Sequence, residues 1–112
     1  RVHQFRRDLV DYIASEHPRH CSALGIDGTN DFVERSMRAA ALLGITLEGA
    51  VAALIELWLL YGESLERAPD REWAGNILAH KELPDYIKVE AVQNRIQEKT
   101  GGRSMIVFGA PQ

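Results

Sequence analysis

His17, His20 and Cys21 stand together as HPRHC, the stretch of this chain whose residue types come nearest to a chemical site. Imidazole and thiolate groups hold zinc, but a closed zinc site needs four ligands. The remaining histidines, His3 and His80, lie far away in sequence. A cysteine beside a histidine can also serve as an activated nucleophile, yet no oxyanion-hole signature accompanies this one. Gly25-Ile26-Asp27-Gly28 lacks the helix-opening glycine pattern that cradles phosphate. The 16 carboxylates show no spacing that singles out an acid/base pair. The reading is therefore of a protein that is not an enzyme, with no catalytic, cofactor-binding or metal-ligating residue. On that reading His17 and His20 are exposed side chains of a loop.

Two charged features ask for a physical account. Glu56 sits within TLEGAVAALIELWLLYG, Thr46 to Gly62, where Glu48 is the only other charged residue. A buried carboxylate must be paired or protonated, and Arg35 and Arg38 on the preceding helix are its expected partners. The loop Glu63–Asp70 is the second feature. It carries Glu63, Glu66 and Asp70 beside Arg67, and is flanked by Tyr61 and Trp73. Loops held by rigid helices are common recognition sites, and large amphipathic rings are enriched in binding hot spots. Tyr61, Glu63, Glu66, Arg67, Asp70 and Trp73 are thus the candidate partner-binding residues. The plainer alternative is a solvated loop, with Trp73 pinning its helix to the core. On the binding reading, reversing Glu63 and Glu66 to lysine should leave stability nearly unchanged. The apolar run Met105–Phe108 is the next candidate surface.

The elements that position these residues are helical. Of 112 residues, 46% are hydrophobic and 26% charged, ordinary values for a single folded domain. The net charge of −3 argues mildly against nucleic acid. The lone cysteine excludes an internal disulfide and fits a reducing compartment. No signal peptide or spanning segment is visible; the expected location is cytoplasmic, held open by a start at Arg1 rather than Met. Thr46–Gly62 reads as a central helix capped by Thr46 and ended by Gly62. Being apolar nearly all round, it should be buried, and it falls short of the roughly 20 residues of a membrane span.

Around it, Val2–His17 predicts a first helix with Phe5, Leu9, Tyr12 and Ile13 inward, stopped by Pro18. HPRHCSALGIDGTN reads as a turn-rich connection. A second helix is expected from about Asp31 to Leu43, with Phe32, Val33, Met37, Ala40 and Leu43 inward. A short fourth follows Pro69 with Asp70 as cap, bearing Trp73, Ile77 and Leu78. Leu83–Pro84 opens a fifth, with Tyr86, Val89, Val92 and Ile96 inward and Gly101–Gly102 at its end. The fold class is all-α: a compact bundle of about five helices around the buried central one. Residues 1–102 form the domain, and 103–112 a short irregular or strand-like tail.

The segment SMRAAALLGITLEGAVAALIE has the spacing of a helix-turn-helix, which makes a DNA-binding transcriptional regulator the alternative function. The would-be recognition helix, however, opens with Leu47, Glu48, Gly49, Ala50 and Val51. None is a basic or amide reader of bases, and Glu48 repels phosphate.

Three blocks, FRRDLVDYIASEHPRHCSAL, RAAALLGITLEGAVAALIELWLLYGESLE and PDREWAGNILAHKELPDYIKVEAV, carry a resemblance to a known family. They are similar to small bacterial proteins encoded beside type VI secretion effector and spike genes. The match covers roughly Phe5 to Val92. It rests on Tyr61-Gly62, Trp73-Ala74, Ile77-Leu78 and Leu83; Pro69 stands farther from Trp73 than the pattern has it, and the GGRSMIVFG tail departs from it. The resemblance implies an accessory, adaptor or immunity-like protein whose partner is another protein, an effector or spike component. It carries no activity over to any residue.

Overall fold

Proline and glycine divide the chain into its helices. The computed structural model describes residues 2–99, so the Met105–Phe108 tail and the Gly101–Gly102 stop lie outside the described residues. The first helix, α1, is Val2–Glu16, and Pro18 opens the second, α2, at Pro18–Leu42. Gly44 (φ +80°) ends the turn after α2, and α3 is Glu48–Tyr61. Gly62, at φ +127°, closes α3 with its N–H on the Trp58 carbonyl. Two 3₁₀ turns, Leu65–Arg67 and Pro69–Arg71, lead to α4 at Glu72–Leu78, and α5 is Asp85–Lys99. The described residues are all-α, as expected from the periodicity.

The connection HPRHCSALGIDGTN is helical, contrary to the sequence reading. Pro18 occupies the first helical turn, where its missing N–H costs nothing. The turn-forming residues mark only a kink: Gly25 takes φ 78° and ψ 167°, a conformation nearly restricted to glycine. Beyond it the helix resumes. Thr29 Oγ1 donates to the Gly25 carbonyl at 2.8 Å, and Asn30 Nδ2 to that of Ile26 at 3.0 Å. Local propensity for turns yields here to a buried face formed by Thr29, Phe32, Val33, Ser36 and Ala40.

Two expected caps are also replaced. Leu47, not Thr46, is the N-cap residue of α3, and no side chain of its own segment caps it. The Asp85 carboxylate does so from the start of α5, accepting the N–H groups of Thr46 (2.8 Å) and Leu47 (3.0 Å). Asp70 falls within the second 3₁₀ turn, and α4 starts at Glu72 without a side-chain cap.

α3 packs against α1, α2 and α5, while α4 rests on α5 and the 3₁₀ turns. Ala50, Val51, Leu54, Ile55, Leu57 and Trp58 are its buried side chains. They meet Leu9 and Ile13 of α1, Phe32 and Val33 of α2, Leu78 of α4, and Val89, Val92 and Ile96 of α5 in one core cluster. α3 is nevertheless not enclosed on all sides. Gly49 is exposed, and Ala52, Ala53, Glu56 and Leu60 are only half-buried. At 100° per residue these five share one stripe of the helix. Tyr86, expected inward, is 59% exposed at the edge of that stripe.

Candidate functional site

The acidic loop is knitted into the fold. Glu63 accepts from Arg35 through both oxygens, Nε at 2.8 Å and Nη2 at 2.9 Å. That pairing holds the Glu63 carboxyl below its usual range, against a smaller opposing effect of burial. Glu66 accepts from the indole Nε1 of Trp58 at 3.0 Å, and Trp58 is only 1% exposed. Lysine at position 66 would strand a buried N–H, so the double reversal is now expected to cost stability rather than leave it unchanged. Tyr61 and Trp73 are half-buried against the core, and the Arg95 guanidinium lies 4.9 Å from the Trp73 ring centre. Arg67 and Asp70 are exposed. The structure thus brings Glu66 to Trp58 and Glu63 to Arg35, with Arg67 and Asp70 left at the solvent.

Glu56 is paired, but not with Arg35 or Arg38. Its Oε2 accepts from the Tyr12 hydroxyl at 2.8 Å and lies 2.6 Å from His17 Nε2. Arg35 is turned to Glu63 instead. His17 stands at the corner between α1 and α2, and its ring meets those of Tyr12 and His20 edge-on, with centroids 6.1 and 5.9 Å apart. His17 and His20 are therefore half-buried members of a cluster, not exposed loop residues. The Tyr12 hydroxyl is pushed up to about 12, first by burial, then by the hydrogen bond to Glu56 and the charges of Glu56 and Glu16. Cys21 Sγ lies 3.6 Å from Thr29 Oγ1, whose proton goes to the Gly25 carbonyl. Among the described residues no group of three or more His, Cys, Asp or Glu side chains is placed to hold a metal ion. The arrangement ties the α1–α2 corner to the middle of α3.

Tyr12 and Glu56 also belong to a surface that sequence reasoning missed. They line an open groove of about 410 Å³ with Phe5, Leu9 and Asp8 on one side and Gly49, Ala52 and Ala53 along its floor. A second groove of about 400 Å³ adjoins it at Gly49 and Ala53, walled by Tyr86, Val89, Glu90 and Gln93 of α5. Together they run along the uncovered stripe of α3, with α1 on one flank and α5 on the other. The floor is smooth at Gly49, Ala52 and Ala53, because these residues are small, and Glu56 lies beyond them. A methyl group at Gly49 would meet the Tyr86 ring at 3.8 Å, an ordinary contact. The one available signal was the small-residue spacing Gly49, Ala52, Ala53, and it is a weak one, since the equally small Ala50 beside them is buried at 1% exposure.

Fold and surface define the class, an all-α bundle with one apolar helix face left open. In comparisons with known proteins, the chain matches no family model, no curated protein and no solved structure. Among the described residues no helix is long and apolar enough to cross a membrane.

Proposed function

We propose that this chain is a non-enzymatic protein-interaction module, and that its binding surface is the open face of α3 between α1 and α5. One observation carries the reading. A helix with apolar residues on every side gains from enclosure on every side, yet the stripe Gly49–Ala52–Ala53–Glu56–Leu60 is left part-exposed. Exposed apolar surface in a concave setting marks interaction sites. The resemblance of the sequence to proteins encoded beside type VI secretion genes supports placing the partner among effectors or spike components, met in the cytoplasm as adaptor or immunity-like protein. Charge weighs against the DNA-binding alternative. The start of α3 presents Glu48 and is capped by the Asp85 carboxylate, where a recognition helix would meet phosphate.

The test is site-specific photo-crosslinking in the source cells. A photoreactive residue at Ala53 should give a discrete adduct with another protein, while one at Glu34, on the outer face of α2, should not. Adducts formed from Asp70 but not from Ala53 would move the interface to the Glu63–Asp70 loop.

A further inference from the structure

Both flanks of the open α3 face carry carboxylates, and none of the residues lining its two grooves is basic. Asp8 stands on the α1 wall, Glu56 on the floor and Glu90 on the α5 wall. Glu16 lies close enough to Tyr12 to raise its hydroxyl. Of the wall cations, Arg6, Arg7, Lys88 and Arg95 line neither groove. Arg6 donates to Asn30 of α2 at 2.9 Å, and Arg95 lies over Trp73. Helical geometry puts Arg7 about 200° around α1 from Phe5, and Lys88 about 200° around α5 from Tyr86.

We infer that the open face of α3 receives a basic amphipathic helix of a partner protein. The inference rests on the reading of that face as the binding surface and names the chemistry of its occupant. Small residues at Gly49, Ala52 and Ala53 recur at the spacing that lets a second helix axis approach to about 8 Å rather than 10. α1 and α5 both pack on α3 but make little contact with each other, which leaves between them the place of one more helix. The stripe from Gly49 to Leu60 covers about three turns, so an occupant of roughly a dozen residues would fill it. Its apolar residues at i, i+3, i+4 and i+7 would lie on the floor, in the helix-in-groove mode. Lysine or arginine on its two flanks would face Asp8 and Glu90. A second copy of this chain fits poorly, because a two-fold contact would set the same carboxylates against each other.

The probe is a library of 15-residue helix-favouring peptides, with charge and apolar pattern randomised, selected on the whole chain. Enriched peptides are then measured by fluorescence anisotropy against wild type, Ala53→Trp and the exposed-rim double variant Asp8→Lys with Glu90→Lys, each first shown to be folded by its melting curve. The expected winners carry excess Lys or Arg and an apolar stripe at helical spacing. They bind Ala53→Trp at least tenfold more weakly than wild type. They also lose about tenfold in affinity to the charge-reversed variant at low salt, and less at high salt. Winners that are acidic or proline-rich, yet blocked by Ala53→Trp, would overturn the basic helix while leaving the face as an interface. Winners indifferent to Ala53→Trp would remove both readings. Should Ala53→Trp not fold, the charge-reversed pair alone decides, since unchanged binding there excludes a basic occupant. A wild-type dimer in sedimentation that the charge-reversed variant alters would give the face to a second copy and overturn the proposal.

Discussion

At the scale of single residues, Glu56 shows how one carboxylate on an apolar helix dictates its surroundings. That it needed a partner was legible in the sequence. Which partner was not, because Tyr12 and His17 reach it only through the corner between α1 and α2, 44 and 39 positions away. Arg35 was the nearer choice by sequence, and it serves Glu63 instead. The Tyr12 hydroxyl gives this cluster a measurable signature. Its pKa is raised from 10.0 to about 12 in the folded chain. The folded state thus holds the phenolic proton more tightly than the unfolded one. The resulting stability is fully present below pH 10 and is lost as pH rises from about 10 to 12. Tyr12 is 43% exposed, so the loss should total about 1 kcal/mol or less after solvent screening. Tyr12→Phe should remove that part of the alkaline decline in denaturant-unfolding experiments. An unchanged slope between pH 10 and 12 would mean that the hydroxyl does not bind Glu56 in solution.

At the scale of elements, the helix boundaries written by proline and glycine were readable, and those decided at a distance were not. Pro18, Gly44 and Gly62 act on their own backbone, so their effects follow from residue type alone. The segment from His17 to Asn30 holds four turn-forming residues, yet only Gly25 leaves the helix, because the buried face from Thr29 onward recruits the rest. The cap of α3 is further from view still, since Asp85 lies 39 residues beyond Thr46. The Asp85 carboxyl is held below its usual range, chiefly by the Leu47 N–H and further by that of Thr46 and the charge of Lys88, against a smaller cost of burial. Because the folded value is depressed, its stabilisation is present above the unfolded pKa of about 4 and disappears as pH falls through the folded value. Asp85→Ala should cost about 1 kcal/mol at neutral pH, the usual worth of a side-chain cap. The gap between variant and wild type in urea unfolding should narrow at pH 3 and below. A gap that is the same at pH 7 and pH 2 would show that the carboxylate charge is not what caps α3.

At the scale of the whole molecule, α3 organises everything and is nonetheless unfinished. The sequence showed an apolar helix, and full burial was the natural inference. Periodicity cannot tell how many neighbours a helix has, since an apolar residue reads alike whether it faces the core or a partner. The two sides differ mainly in residue size at the N-terminal half of the stripe, and in the one carboxylate, Glu56, that the open side carries. The enclosed side carries Leu54, Ile55, Leu57 and Trp58, each 2% exposed or less; the open side carries Gly49, Ala52 and Ala53, then Glu56 and Leu60. Adjacent positions should therefore respond oppositely to changes in volume. Leu54→Ala empties a fully buried site and should cost about 2–5 kcal/mol. Ala53→Leu adds three carbons one residue earlier, towards the grooves, where surface-like sites usually change stability by no more than about 0.5 kcal/mol. If α3 were enclosed all round, the added carbons would instead be overpacked and cost about 1–3 kcal/mol. Thermal and urea unfolding of the two variants side by side decides between the two. A substantial loss in Ala53→Leu would close the groove and place α3 wholly within the core. Near-neutrality there, beside a large loss in Leu54→Ala, is the response of a helix that holds the fold with one face and keeps the other free.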